Sequence, residues 1–217
     1  MRSPRATWSR RAGLLLIVAG VVLLGYVGWQ LYGTNYVSQR RHDSTVEKLR
    51  EEWARPGGTA SVAAGDSLAD AIVRVPAFGD DYAVPLVAGV ADAALASGIG
   101  VFPGSAEPGG EGNVALAGHR ITHGEPLRDM PDLVVGDEIV IETRDRVYTY
   151  VLDTGGEDLR VPFTAGWVLS DSPVNPDGGT GPATGETRLL TLTTCAELFH
   201  TDDRLVAFGH LVDSRRR

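Results

Sequence analysis

Residues 187–195 read TRLLTLTTC and residues 204–213 read RLVAFGHLVD. Both runs are short and rich in aliphatic and β-branched residues, so both predict strands. The first ends on Cys195 and the second opens on Arg204. If the chain turns back between them, the hairpin returns Arg204 to the rim where Cys195 sits.

Working outward, the same pattern recurs. AIVRVPAF (71–78) and YAVPLVAGV (82–90) are Val-rich runs bounded by Gly, Pro and Asp. NVALAGH (113–119) predicts a buried strand ending at a histidine. LVVGDEIVIETRDRVYTYVLD (133–153) predicts a hairpin turning near Arg144 and Asp145. Ala91–Ser97 has room for one or two helical turns. The Gly- and Pro-rich stretch 99–112 predicts a loop. Seven or eight short strands with little helix predict an all-β closed barrel rather than a sandwich.

Ahead of this domain the composition changes. Residues 1–11 hold Arg2, Arg5, Arg10 and Arg11 and no acid, predicting a basic cytoplasmic tail. Ala12–Gly33 carries no charge, and Tyr26, Trp29 and Tyr32 gather toward its end. That length and aromatic placement predict a transmembrane helix with the N-terminus inside, rather than a cleaved signal peptide. Residues 34–69 are expected to form a juxtamembrane helix, over SQRRHDSTVEKLREEWA (38–54), and a polar linker. Val46, Leu49 and Trp53 recur at helical spacing there, which suits a stalk or a helix lying on the domain; the charged faces favour a solvated spacer. The remaining domain, 70–217, is then expected outside the cell.

Charge excludes one class of partner. The chain has 20 basic and 28 acidic residues. Setting aside the four N-terminal arginines leaves 16 basic against 28 acidic, near −12, which argues against a nucleic-acid surface.

Cys195 is the only cysteine, so no intrachain disulfide or cysteine-based metal cluster is possible. A lone cysteine is usually a small buried hydrophobe. At a strand mouth, with polar Glu197 and His200 following, it can instead be a nucleophile. It then needs a proton partner and an oxyanion stabiliser. His42 lies in the stalk, and His210 lies inside the last strand as a structural histidine. His119 and His123 flank a strand end, as Cys195 does. Arg204 is either a stabiliser on the same rim or a surface arginine paired with Asp202 or Asp203.

NVALAGHR, then LTLTTC, then RLVAFGHL together resemble the sortases, the cysteine transpeptidases of Gram-positive surfaces. The likeness rests on Thr191–Cys195, on Gly118-His119 and on Arg204, nine residues after the cysteine. That short spacing, GHR followed by Gly124, and Phe102-Pro103-Gly104 are most similar to class E, of high-GC actinobacteria. The resemblance covers about residues 70–213. It implies an eight-stranded sortase-type β-barrel with catalytic Cys195, His119 and Arg204. Cys195 would attack the threonine carbonyl of an LPxTG- or LAxTG-like C-terminal sorting motif and form a thioester. His119 would protonate the leaving amine, and Arg204 would hold substrate and steady the oxyanion. Thr194 and Ala117 would line the peptide groove. His123, where class E often has tyrosine, would bear on substrate preference.

The implied partners are surface proteins with sorting signals, a cell-wall precursor amine (lipid II-like) and the membrane. No metal or cofactor is required. The loop 174–186, VNPDGGTGPATGE, lies in a region that shapes the sorting-signal groove in sortases, and its Gly and Pro content fits a mobile lid or an idle loop equally. No N-terminal lid of the pilin-polymerising kind is apparent, which favours housekeeping anchoring. Two other readings stand beside this one: a different extracytoplasmic thiol transpeptidase or hydrolase acting on peptidoglycan, and a non-enzymatic membrane-tethered β-barrel module.

Overall fold

The structure, a computed structural model, describes residues 4–29, 34–195 and 202–217. Among these, ten strands form one sheet: β1 (Val62–Ala64), β2 (Ser67–Arg74), β3 (Val84–Ala88), β4 (Ile99–Val101), β5 (Gly112–Ala117), β6 (Glu138–Thr143), β7 (Arg146–Leu152), β8 (Arg160–Pro162), β9 (Arg188–Cys195) and β10 (Asp203–Arg216). The path β2-β3-β4-β5-β9-β10-β7-β6 closes because β2 also pairs with β6, giving an eight-stranded barrel. β1 extends β2, and β8 extends β10. The pairs β3–β4 and β5–β9 are parallel and the others antiparallel. A register shift between Ala69 and Ala71 lets β2 pair with β3 and with β6, the use of a bulge at a barrel corner.

Alternation along the strands decides what is inside. Leu190 and Leu192 of β9, Val114 and Leu116 of β5, and Leu205 and Ala207 of β10 belong to the barrel core with Ile139, Ile141 and Tyr150. The intervening residues therefore face outward. Val206 and Phe208 are covered there by Val161, Leu159 and a short 3-10 helix, Gly166–Leu169, in a second apolar cluster.

Several expectations are revised. Residues 99–101 form β4, although their glycines suggested a loop. Strand pairing begins at Val62, inside the expected linker. The helical turn expected within 91–97 is present as α3 (Asp92–Leu95), after β3.

The largest revision concerns the spacer. Helix α2 spans Thr34–Ala54, and it lies on the barrel rather than in solvent. Val46 and the fully buried Leu49 pack with Ala69, Ile72, Val87 and Ala94, with Trp53 beside them. The Arg217 guanidinium sits 4.7 Å over the Trp53 ring. Leu49→Ala is expected to lower stability by roughly 2–5 kcal/mol, through lost burial plus the cavity. Denaturant unfolding followed by fluorescence checks this; a loss below about 0.5 kcal/mol would return α2 to a free spacer.

Helix α1 spans Pro4–Gly28 and exposes Leu14, Leu16, Ile17, Leu23 and Leu24. Among the described residues no helix is long and apolar enough to cross a membrane. Residues 30–33 of the expected span lie outside the described residues.

Candidate active site

Cys195 and Arg204 are cross-strand partners in the antiparallel pair β9–β10. Directly opposed residues put their side chains on one face, with Cβ atoms about 5 Å apart. Parity makes this the outer face, beyond the cover over Val206 and Phe208. Cys195 is half-buried there with a free thiol. The Arg204 guanidinium is held in part by the Asp203 carbonyl, to which Nη1 donates at 3.0 Å. The Asp203 carboxylate lies 4.0 Å from Arg160.

The third group arrives on β5. Ala117 is in register with Thr193 on the parallel pair β5–β9, so two residues further on each chain come His119 and Cys195. Two hydrogen bonds weld these strand ends. The Gly118 amide donates to the Thr193 carbonyl at 3.2 Å, and the Thr194 hydroxyl donates to the Gly118 carbonyl at 2.8 Å. A Cβ on Gly118 would meet Leu127 at 2.8 Å, so this close crossing needs glycine. The Leu127 amide then donates to the His119 carbonyl at 3.0 Å and closes the 119–127 loop.

His119 sits in a histidine-rich corner. Its ring stacks on His123 with centroids 4.8 Å apart and planes at 29°. Burial pushes its pKa down to about 4; His123 adds to the shift, Asp92 of α3 opposes it, and His42 adds further. Its Nε2 is buried without a hydrogen-bond partner among the described residues, so it is not bonded to the Cys195 thiol. His123, bonded through Nδ1 to the Thr122 hydroxyl at 3.1 Å, has φ 55°, and Glu125 has φ 51°. Left-handed backbone at such residues costs on the order of 1–3 kcal/mol each and persists only where surroundings enforce it.

Thr194 is 2% exposed and turns into the barrel beside Leu205, and its hydroxyl fixes the strand end that presents His119. Ala117 and Thr193 face outward, next to the pair. The loop 174–186 lies toward the other end of β9. β9 crosses the barrel from Arg188 to Cys195, which separates that loop from the thiol by about 20 Å of strand. The loop is tied down at the far end, where the Ala183 amide donates to Asp153 at 3.0 Å and Asp153 also holds His210 at 2.7 Å. On the Arg204 side, Val161 of β8 is the cross-strand partner of Arg204, and the Phe163 amide donates to the Asp202 carbonyl at 2.6 Å. Glu197 and His200 lie outside the described residues. Asn35, His42 and Asp92 gave no catalytic signal in the sequence, and only the fold brings them to this corner.

Comparison with known proteins fits this arrangement. The sortase domain matches residues 73–212. Sortase SrtE1 of Streptomyces coelicolor is 31% identical across 96% of this chain and 58% of its own length. Sortase SrtE2 of the same organism is 30% identical across 94% of this chain and 82% of its own. The chain thus spans little more than half the length of the first of these relatives. Among solved structures, sortase E from Streptomyces avermitilis is 33% identical with a TM-score of 0.59, over 68% of this chain and 90% of that one. Sortase E1 from Streptomyces coelicolor, solved with a tripeptide in the active site, is 30% identical with a TM-score of 0.56, over the same shares of the two chains. The chain belongs to the sortase family, and these relatives are of class E.

Proposed function

We propose that the chain is a membrane-anchored cysteine transpeptidase that cleaves an LPxTG- or LAxTG-like sorting motif after threonine. It then transfers the acyl group to a cell-wall precursor amine. The observation that carries this reading is the register Cys195–Arg204 on one outer face, with His119 delivered to the same rim by β5.

In the first half-reaction Cys195 loses its proton to His119 as Sγ bonds to the threonine carbonyl carbon. The tetrahedral oxyanion develops beside the Arg204 guanidinium, whose fixed positive charge stabilises it more than it stabilises the neutral substrate. The intermediate collapses to a thioester as the peptide amine leaves with the proton from His119. In the second half-reaction the incoming amine gives a proton to His119 and attacks the thioester, and the thiolate leaves. His123, stacked on His119, would tune which residues follow the threonine.

The test is incubation of the protein with fluorescent LPxTG- and LAxTG-like peptides plus an oligoglycine amine. Amine-dependent product of the transferred mass supports the reading. Hydrolysis of peptidoglycan stems with no peptide transfer would favour the other thiol-enzyme class.

The anchoring part of the proposal is supported by the charge-free Ala12–Gly33, the four arginines before it and the exposed leucines of α1. Protease added to intact protoplasts should digest the domain while the basic tail stays protected. A protected domain would reverse the assigned orientation.

A further inference from the structure

Helix α2 presents one continuous stripe, Asn35, Gln39, His42, Val46, Leu49 and Trp53, at spacings of three and four. Its second half is apolar and docks on the barrel. Its first half is polar and meets the loop that follows His119.

There the Asn35 side chain uses both ends of its amide. Nδ2 donates to the Ile121 carbonyl at 3.2 Å and to a Glu125 carboxylate oxygen. Oδ1 accepts from the Gly124 amide at 3.1 Å. Gln39 Nε2 reaches the Gly124 carbonyl at 3.5 Å. The buried His42 ring closes against the same residue, where a Cβ on Gly124 would meet Cε1 at 2.8 Å. These contacts span the two left-handed residues, His123 and Glu125, which ordinary backbone preferences would release.

Resting on the transpeptidase reading above, we propose that Asn35 is a positioning residue. It clips the 121–125 loop to α2 so that His123 remains stacked on His119, which makes the juxtamembrane helix part of the machinery that presents the proton carrier. Asn35 acts only through the loop, and no substrate contact is assigned to it. The polar half of the stripe exists because its partner is a row of backbone groups rather than apolar side chains.

The test uses the full chain in detergent, with two readouts. Transfer of a fluorescent sorting peptide to an oligoglycine amine gives kcat and KM. Ring titrations of the histidines by 15N-resolved NMR report the stack without any catalysis. Asn35→Ala should lower kcat about tenfold, as expected for a displaced acid–base group, with KM for the peptide changed less. It should also raise the His119 titration as water and freedom enter the corner. Asn35→Asp should be as impaired, since it sets a carboxylate against Glu125. The pair Asn35→Asp with Glu125→Gln should recover part of the activity lost in Asn35→Asp, because the amide introduced at position 125 can donate one of the two bonds that Asn35 donated, while the bond to the Ile121 carbonyl stays lost. Unmoved histidine titrations in Asn35→Ala overturn the clip, whatever happens to kcat. Moved titrations with unchanged kcat overturn its role in turnover. Absence of recovery in the double variant, with the fold intact, also overturns it. If the wild-type chain transfers nothing, the transpeptidase reading fails, and the titrations still decide whether Asn35 holds the stack.

Discussion

Cys195→Ala is expected to bring amine-dependent transfer down to the uncatalysed background. The chain holds a single cysteine, so no second thiol can form the thioester. The substitution removes only a half-buried sulfur at a strand end. The strand itself is secured by the β5 and β10 ladders and by the Thr194 hydroxyl, none of which involves Sγ. Stability should therefore shift by less than about 1 kcal/mol, the scale of changes away from core features. A nearly silent effect on folding with total loss of transfer separates chemistry from structure. The decisive measurement is mass spectrometry of the protein trapped with peptide in the absence of amine. Wild type should gain the acyl fragment and the variant should not. An acylated Cys195→Ala protein would place the nucleophile elsewhere and sink the proposed mechanism.

The strand pattern was legible because its cause is local. Short runs of aliphatic and β-branched residues encode β5, β6, β7, β9 and β10 directly. The Cys195–Arg204 pair was legible for the same reason, since a hairpin needs only two strands and a turn. β4 was missed because Gly98 and Gly100 look like loop residues. They are small because the Pro85 and Gly89 carbonyls press on them, a tertiary cause that leaves no local pattern. Thr194 turns inward because adjacency to Cys195 in sequence means the opposite face in a strand. β9 carries the chain the length of the barrel between the loop 174–186 and Cys195. Docking of α2 was hidden because the first half of its stripe is polar. Asn35, Gln39 and His42 look like solvated side chains until the 121–125 backbone supplies their partners. The membrane assignment stays where the sequence put it, on a charge-free run that is only partly among the described residues.

His119→Ala should lower kcat/KM by roughly 100-fold to 10000-fold, the usual range for loss of a positioned acid–base group. The shape of the pH profile carries more information than the size of that loss. With its pKa pushed down to about 4, His119 is neutral at neutral pH, and in the proposed mechanism it would first act as the base toward the Cys195 proton. The acid limb of kcat/KM, which reports the free enzyme, should therefore lie well below the ordinary histidine range. The groups facing His119 set the direction of further change. Burial is the leading cause of the shift, His123 is next, Asp92 opposes it, and His42 adds a smaller push downward. His123→Ala removes the stacked ring and admits water, and both effects favour the imidazolium. The acid limb should then move to higher pH, while peptide preference changes more than the plateau rate. Folding stability follows the same sign. The unfolded chain takes up the His119 proton first, near 6.5, so this group costs nothing above that pH and costs stability as pH falls toward 4. An acid limb that stays put or moves lower in His123→Ala would show that the stacked pair does not control the base. Full activity in His119→Ala, with His123 proving essential, would exchange the roles of the two histidines.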